Sequence, residues 1–128
     1  MSEPQWVLRE TVLALHDRLL AEFSGRGGLR DDAMLVSALA RPQQLFAYSQ
    51  PNLCQLAAAY AFGLVRNHPF VDGNKRIAFT VAVLFLELNG RRFTACESEA
   101  ALKTLALAAR ELDESDYAAW LRKRSRNV

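Results

Sequence analysis

The chain has 128 residues, 51% hydrophobic and 23% charged, with a formal net charge of +2, which fits one globular domain with a sizeable core and leaves no room for a second. So small a charge exerts no global pull toward nucleic acid, and a nucleic-acid role would need a local patch. The first residues lack a basic segment followed by an apolar one and no apolar run is long enough for a bilayer, which argues against secretion and insertion and predicts a cytoplasmic protein with Cys54 and Cys96 as reduced thiols.

From Pro4 to Phe23, Leu8, Val12, Leu15, Leu19 and Phe23 recur at helical spacing, with Pro4 suited to a first turn. His16 lies beside that apolar stripe, where an imidazole can be a boundary residue or can support a site elsewhere. Ser24-Gly25-Arg26-Gly27-Gly28 has no preceding strand and no Gly-Lys-Ser/Thr ending, so it reads as a plain turn. Asp31 and Asp32 cap a short second helix that should end near Ala40, before Arg41-Pro42. The stretch 42–51, with Phe46 and Tyr48, shows no helical period and reads as a packed connection.

Asn52 caps a third helix whose Leu53, Leu56, Ala57, Tyr60 and Leu64 share a face, and His68 extends that face by a turn. Its run of alanines and Gly63 lets it approach a neighbour closely. Arg66, near its end, suits both a surface cation and a phosphate contact. Then comes the densest stretch of the sequence, His68-Pro-Phe-Val-Asp-Gly-Asn-Lys-Arg76, followed by the apolar run from Ile77 to Leu86 and a stop at Gly90. It predicts a central helix over 73–89. An extended link at 91–94, a helix over 97–108 and a last helix over about 115–124 complete an all-α single domain. The basic tail Arg122-Lys123-Arg124-Ser125-Arg126 suggests nucleic acid only weakly, because cations at a helix C-terminus already complement the dipole.

The start of the central helix carries the chemistry. Unpaired amides and the positive dipole end make an anion site, and Gly73 lets a bulky oxyanion reach the backbone. Lys75 and Arg76 oppose the dipole by a few tenths to about 1 kcal/mol unless an anion joins them, so a polyphosphate is the expected guest. Asp72 is either the helix cap or a ligand for Mg2+, which takes one or two carboxylates together with substrate phosphates. His68 is placed to act as base toward an attacking hydroxyl.

These nine residues resemble the signature loop of the Fic/Doc family, most closely its death-on-curing branch. His16-Asp17-Arg18, Leu39-Ala40-Arg41-Pro42, Ala57-Ala58-Ala59-Tyr60 and Phe85-Leu86-Glu87-Leu88-Asn89-Gly90 extend the likeness over roughly residues 7 to 122. Typical Fic loops carry glycine where Lys75 stands and arginine where Phe79 stands, and those enzymes transfer AMP; the Doc-like pattern has the lysine and lacks the arginine, whereas Gly73 follows the Fic form.

The resemblance implies an ATP- and Mg2+-dependent toxin that phosphorylates a Ser or Thr hydroxyl of a translation factor such as elongation factor Tu, with AMP transfer as the alternative. His68 would be the base, Asp72 the metal ligand, and Gly73, Asn74, Lys75, Arg76 and Arg66 the phosphate contacts. It also implies that 42–51 forms a flap, often a short β-hairpin, with Phe46 and Tyr48 touching the target. No Ser/Thr-x-x-x-Glu-Gly/Asn inhibitory motif occurs, so inhibition is expected in trans, by an antitoxin. A non-catalytic module that binds a partner protein or operator DNA is the remaining alternative.

Overall fold

The computed structural model describes every residue except Met1, Ser24 and Arg26. The turn read at 24–28 thus lies partly outside the described residues. Six helices follow in order: α1 (Arg9–Phe23), α2 (Asp32–Tyr48), α3 (Leu53–Asn67), α4 (Asn74–Leu88), α5 (Glu97–Ala108) and α6 (Glu114–Lys123). Strands β1 (Arg91–Phe93) and β2 (Ser125–Asn127) pair antiparallel, with Arg92 opposite Arg126. The fold is all-α with this one small ribbon.

At the centre stand two helices rather than one. α3 packs against α2, α4, α5 and α6, and α4 against α1, α3, α5 and β1. The expected alanine run explains the closeness: Ala57, Ala58, Ala59 and Ala61 are all buried in α3, and a side chain on Gly63 would meet the backbone of Ala38 at 3.1 Å. α3 is fixed at its start by a reciprocal capping box between Asn52 and Gln55. Tyr60, Phe85, Leu56 and Leu86 fill the space between the central pair and its surroundings.

Two expected boundaries are wrong. The first helix begins at Arg9, not at Pro4, because the preceding residues find partners that a helical turn would forfeit. Asn89 bonds both the amide and the carbonyl of Gln5, Val7 donates its amide to the Tyr60 hydroxyl, and Trp6 stacks on Phe85. The stripe is displaced accordingly, with Val12 and His16 buried while Leu8 and Phe23 are exposed.

The second helix does not stop before Arg41-Pro42 but runs through Pro42 to Tyr48. An interior proline costs roughly 3 kcal/mol and strips the amide that Ala38 would have accepted. That Ala38 carbonyl faces Gly63, and Pro42 itself is buried, so the break falls where α3 comes closest and tertiary packing carries the helix across. No hairpin flap forms at 42–51.

Candidate functional site

The signature loop connects the central pair. α3 ends at His68 in a left-handed conformation, φ 51° and ψ 54°, which costs a non-glycine residue about 1–2 kcal/mol. Arg30 holds it there. Its Nε donates to the His68 carbonyl at 2.7 Å and its Nη2 to the Asn67 carbonyl at 3.0 Å, which satisfies two end-of-helix acceptors with a charged donor. Residues 28–31 run beside the loop: Arg30 and Asp31 donate their amides to Pro69, Val71 donates to Gly28, and Leu29 bridges Phe70. The segment that covers the loop is therefore 28–31, and the sequence offered no pattern to announce it.

Beneath the loop lies Phe70, buried and stacked on the His16 ring at 3.7 Å between centroids and 12° between planes. His16 lies 2.8 Å through Nε2 from the Asp72 carbonyl, so the proton belongs on Nε2, since a carbonyl can only accept. Of the two readings of His16, the supporting one holds. Asn74 closes the loop from the other side, its amide accepting from the Phe70 N–H and donating to the Phe70 carbonyl. Its side chain is occupied by this task; only its backbone amide can serve a ligand.

The loop then delivers its polar groups to one place. His68, Val71, Asp72, Gly73, Asn74, Lys75 and Arg76 line a cavity of about 220 Å³. Gly73 is the N-cap of α4 at φ 81°, and among the described residues no side chain caps this helix start, where the first amides of a helix lack an intrahelical acceptor. Asp72 does not take the capping role: its Oδ1 accepts from the adjacent Gly73 amide at 2.8 Å. Among the described residues, neither Lys75 nor Arg76 makes an ion pair. Arg76 lies over the Phe23 ring at 4.1 Å.

The structure brings together all the expected loop residues and leaves three expected contacts apart. His68 is exposed at the loop cavity instead of extending the buried face of α3, because the left-handed turn swings it off the helix. Arg66 does not line the cavity and sits over Phe62, which it shares with Arg41. Phe46 and Tyr48 belong to the last turn of α2, Phe46 against Trp6 and Tyr48 89% exposed. Asn67 at the end of α3 bonds Met34 in the first turn of α2, so α2 runs antiparallel to α3 and its last turn lies about 20 Å from His68.

No three His, Cys, Asp or Glu side chains gather as a metal cage among the described residues. A Mg2+ held by one carboxylate and substrate phosphates needs no cage, and Asp72 is the carboxylate of the loop cavity. Next to it, and sharing Lys75 and Arg76, runs a larger, largely apolar groove of about 440 Å³ that includes Leu19, Phe23, Phe79 and Leu105. Phe79 packs edge-on against Phe93.

The loop that joins the central helices of this helical domain thus sets a glycine-capped helix start and two cations on one cavity. The sequence pattern of the Fic/DOC family matches residues 6–86, and the chain belongs to that family. It is similar to the "Protein kinase doc" of Escherichia phage P1, 33% identical over 115 residues that cover 89% of this chain and 90% of the relative. It is also similar to the "Toxin Doc" of Mycolicibacterium smegmatis, 43% identical over 75 residues, 57% of this chain and 58% of that protein.

Proposed function

We propose that this protein is a Doc-like toxin that transfers the terminal phosphoryl group of ATP to a Ser or Thr hydroxyl of a target protein. The observation that carries this reading is the position of Lys75, in the first turn of α4 and on the same cavity as His68. A lysine there suits an outermost phosphate at the opening where the hydroxyl arrives. Phe79, packed on Phe93, supplies no second cation to draw phosphates deeper. The name of the phage relative, a protein kinase, supports the same choice.

His68 accepts the proton of the target hydroxyl as its oxygen bonds to the terminal phosphorus and the bond to the leaving diphosphate breaks. The amides of residues 74–76, with Lys75 and Arg76, hold and neutralise phosphate oxygens, so the reaction is mainly one of positioning. Asp72 would hold Mg2+, and the ion would supply charge neutralisation at the phosphates. Arg30, His16 and Asn74 fix the loop on which these groups depend.

The target is a translation factor, with elongation factor Tu as the first candidate, and its modification arrests growth in the cytoplasm. Restraint comes from an antitoxin in trans. The apolar groove beside the loop, with Phe23 and Leu105 exposed along it, is the surface next to the site that a segment folding on binding would use. None of the helices of the described residues is long and apolar enough to cross a membrane.

Intact-mass analysis of candidate targets after incubation with ATP and Mg2+ tests this reading. The expected gain is about 80 Da, one phosphoryl group. A gain of about 329 Da, one AMP, would establish the Fic-type alternative and overturn the role given to Lys75. Lys75→Gly with Phe79→Arg should weaken phosphorylation and admit AMP transfer, once folding of the double variant has been verified.

A further inference from the structure

We propose that the β1–β2 ribbon is a second binding surface, for the backbone of duplex DNA, separate from the phosphoryl-transfer site. The register puts Arg92 directly opposite Arg126, both exposed on the same face. Like charges directly opposite on a strand pair destabilise it, where an acidic residue at either position would stabilise it. The ribbon therefore carries a local electrostatic conflict that an external polyanion relieves.

The remaining cations separate into engaged and unengaged. On the inward face, Arg91 donates to the Ser125 hydroxyl, to Asn127 and to the carbonyls of Arg122 and Ser125, and Phe93 packs on Phe79 and Trp120. Arg124 pairs with Glu99. Arg92, Arg122, Lys123 and Arg126 make no ion pair among the described residues. The helix dipole accounts for Arg122 and Lys123, which lie in the last turn of α6, but not for Arg126, which lies beyond the helix on β2.

Six of the sixteen basic residues fall in 90–94 and 121–128, which hold no acidic residue, so the rest of the chain carries ten basic against fourteen acidic side chains. The near-neutral total thus hides a positive pole on a negative body. Glu87 is the acidic side chain that lines the shallow hollow beside Arg92. In the two segments only Val128 is an exposed large hydrophobic; a protein partner usually needs apolar anchors, whereas backbone recognition of nucleic acid is ionic. A two-stranded ribbon fits the major groove of B-form DNA, while the A-form groove is too narrow. The ribbon adjoins the C-terminal end of α4, about 22 Å along the helix from the loop, so both surfaces can be occupied together.

The test is fluorescence anisotropy of the full chain with a labelled mixed-sequence DNA duplex of roughly 20 base pairs, in about 50 to 200 mM salt. Four phosphate contacts predict a loss of affinity of about 100-fold across that range. Arg126→Glu sets a carboxylate opposite Arg92, so it should leave the thermal midpoint unchanged or raised while cutting DNA affinity tenfold or more. Arg18→Glu, the same charge change on α1, should bind as the parent does. No binding to the duplex, binding indifferent to Arg126→Glu, equal binding of an RNA duplex, or tighter binding of a polyglutamate peptide would each overturn the proposal.

Discussion

The two ends of α4 are finished in opposite ways. At its C-terminus Asn89 serves Gln5 twice and the Phe85 carbonyl once, and Gly90 turns the chain into β1. At its N-terminus the cap is a bare glycine, and two cations face the positive dipole end without an acidic partner among the described residues. One end is completed by folding; under the proposed function, the other is completed by the phosphates of the nucleotide. The loop is nevertheless rigidly held, since His16, Arg30 and Asn74 bond its backbone. Rigidity of the support with incompleteness of the polar face is what preorganised binding of an anion requires.

His68 is the sharpest place to break this contrast. His68→Ala should lower transfer by on the order of 100-fold to 10,000-fold while ATP still binds. His68→Gly should be as inactive, yet about 1 kcal/mol more stable than His68→Ala, because glycine adopts the left-handed conformation without the steric cost. Turnover assays and denaturant titrations of the pair decide it. Unchanged turnover removes the base assignment, and equal stabilities remove the claim of stored strain.

Asp72→Asn should weaken Mg2+-dependent nucleotide affinity about tenfold or more, equivalent to at least about 1.4 kcal/mol. Calorimetry with and without Mg2+ provides the measurement. A stability loss with Mg-ATP affinity intact would return Asp72 to the role of a structural residue.

The closed end depends on buried tyrosines, and alkali should expose that. Burial raises the Tyr60 hydroxyl to about 12, with the Val7 amide partly offsetting it, and burial likewise raises Tyr117 to about 12 against its bond with Thr104. Both values lie above the ordinary 10.0 of an unfolded tyrosine, so the unfolded chain loses these protons first as pH rises. Their stabilisation is complete below about pH 10 and is lost through about pH 12. Denaturation followed over that window should show the decline, diminished in Tyr117→Phe. An unchanged slope in that variant would exclude Tyr117 as a contributor.

His16→Phe keeps the ring stack on Phe70 and removes the donor to the Asp72 carbonyl, for an expected loss of about 1 kcal/mol. Transfer should fall with it, and the target KM and kcat would show whether the loop has moved. Retained activity at full stability would make His16 a packing residue only.

Local signals in the sequence survive where the local rule and the tertiary structure agree. The caps at Asp31 and Asn52, the alanine-rich α3 and the loop from His68 to Arg76 were legible because each rests on neighbours within a few residues. Pro42 misled because the helix-breaking rule was overridden by its burial and by the packing of Ala38, one turn earlier, against Gly63. Pro4 misled because the partners of residues 5–7 lie on Asn89, Tyr60 and Phe85, more than fifty residues away. Arg30 had no signal at all: nothing near it in sequence reveals that its guanidinium ends a helix thirty-seven residues later.

Tyr48 gives the smallest expected effect and the most direct test of where the target binds. The resemblance put Phe46 and Tyr48 on a flap, but the structure makes them the last turn of α2, with Tyr48 in solvent at the far end of α3 from His68. Tyr48→Ala should change stability by no more than about 0.5 kcal/mol, as exposed substitutions do, and should leave the target KM unchanged. Phe46→Ala differs, because its ring packs edge-on against Trp6 and the strap at 5–7 would loosen. A raised target KM in Tyr48→Ala, with stability intact, would mean that the target reaches across α2 and that the expected contact exists without the hairpin. An unchanged KM leaves 28–31, the segment beside the loop, as the place to look for target alignment.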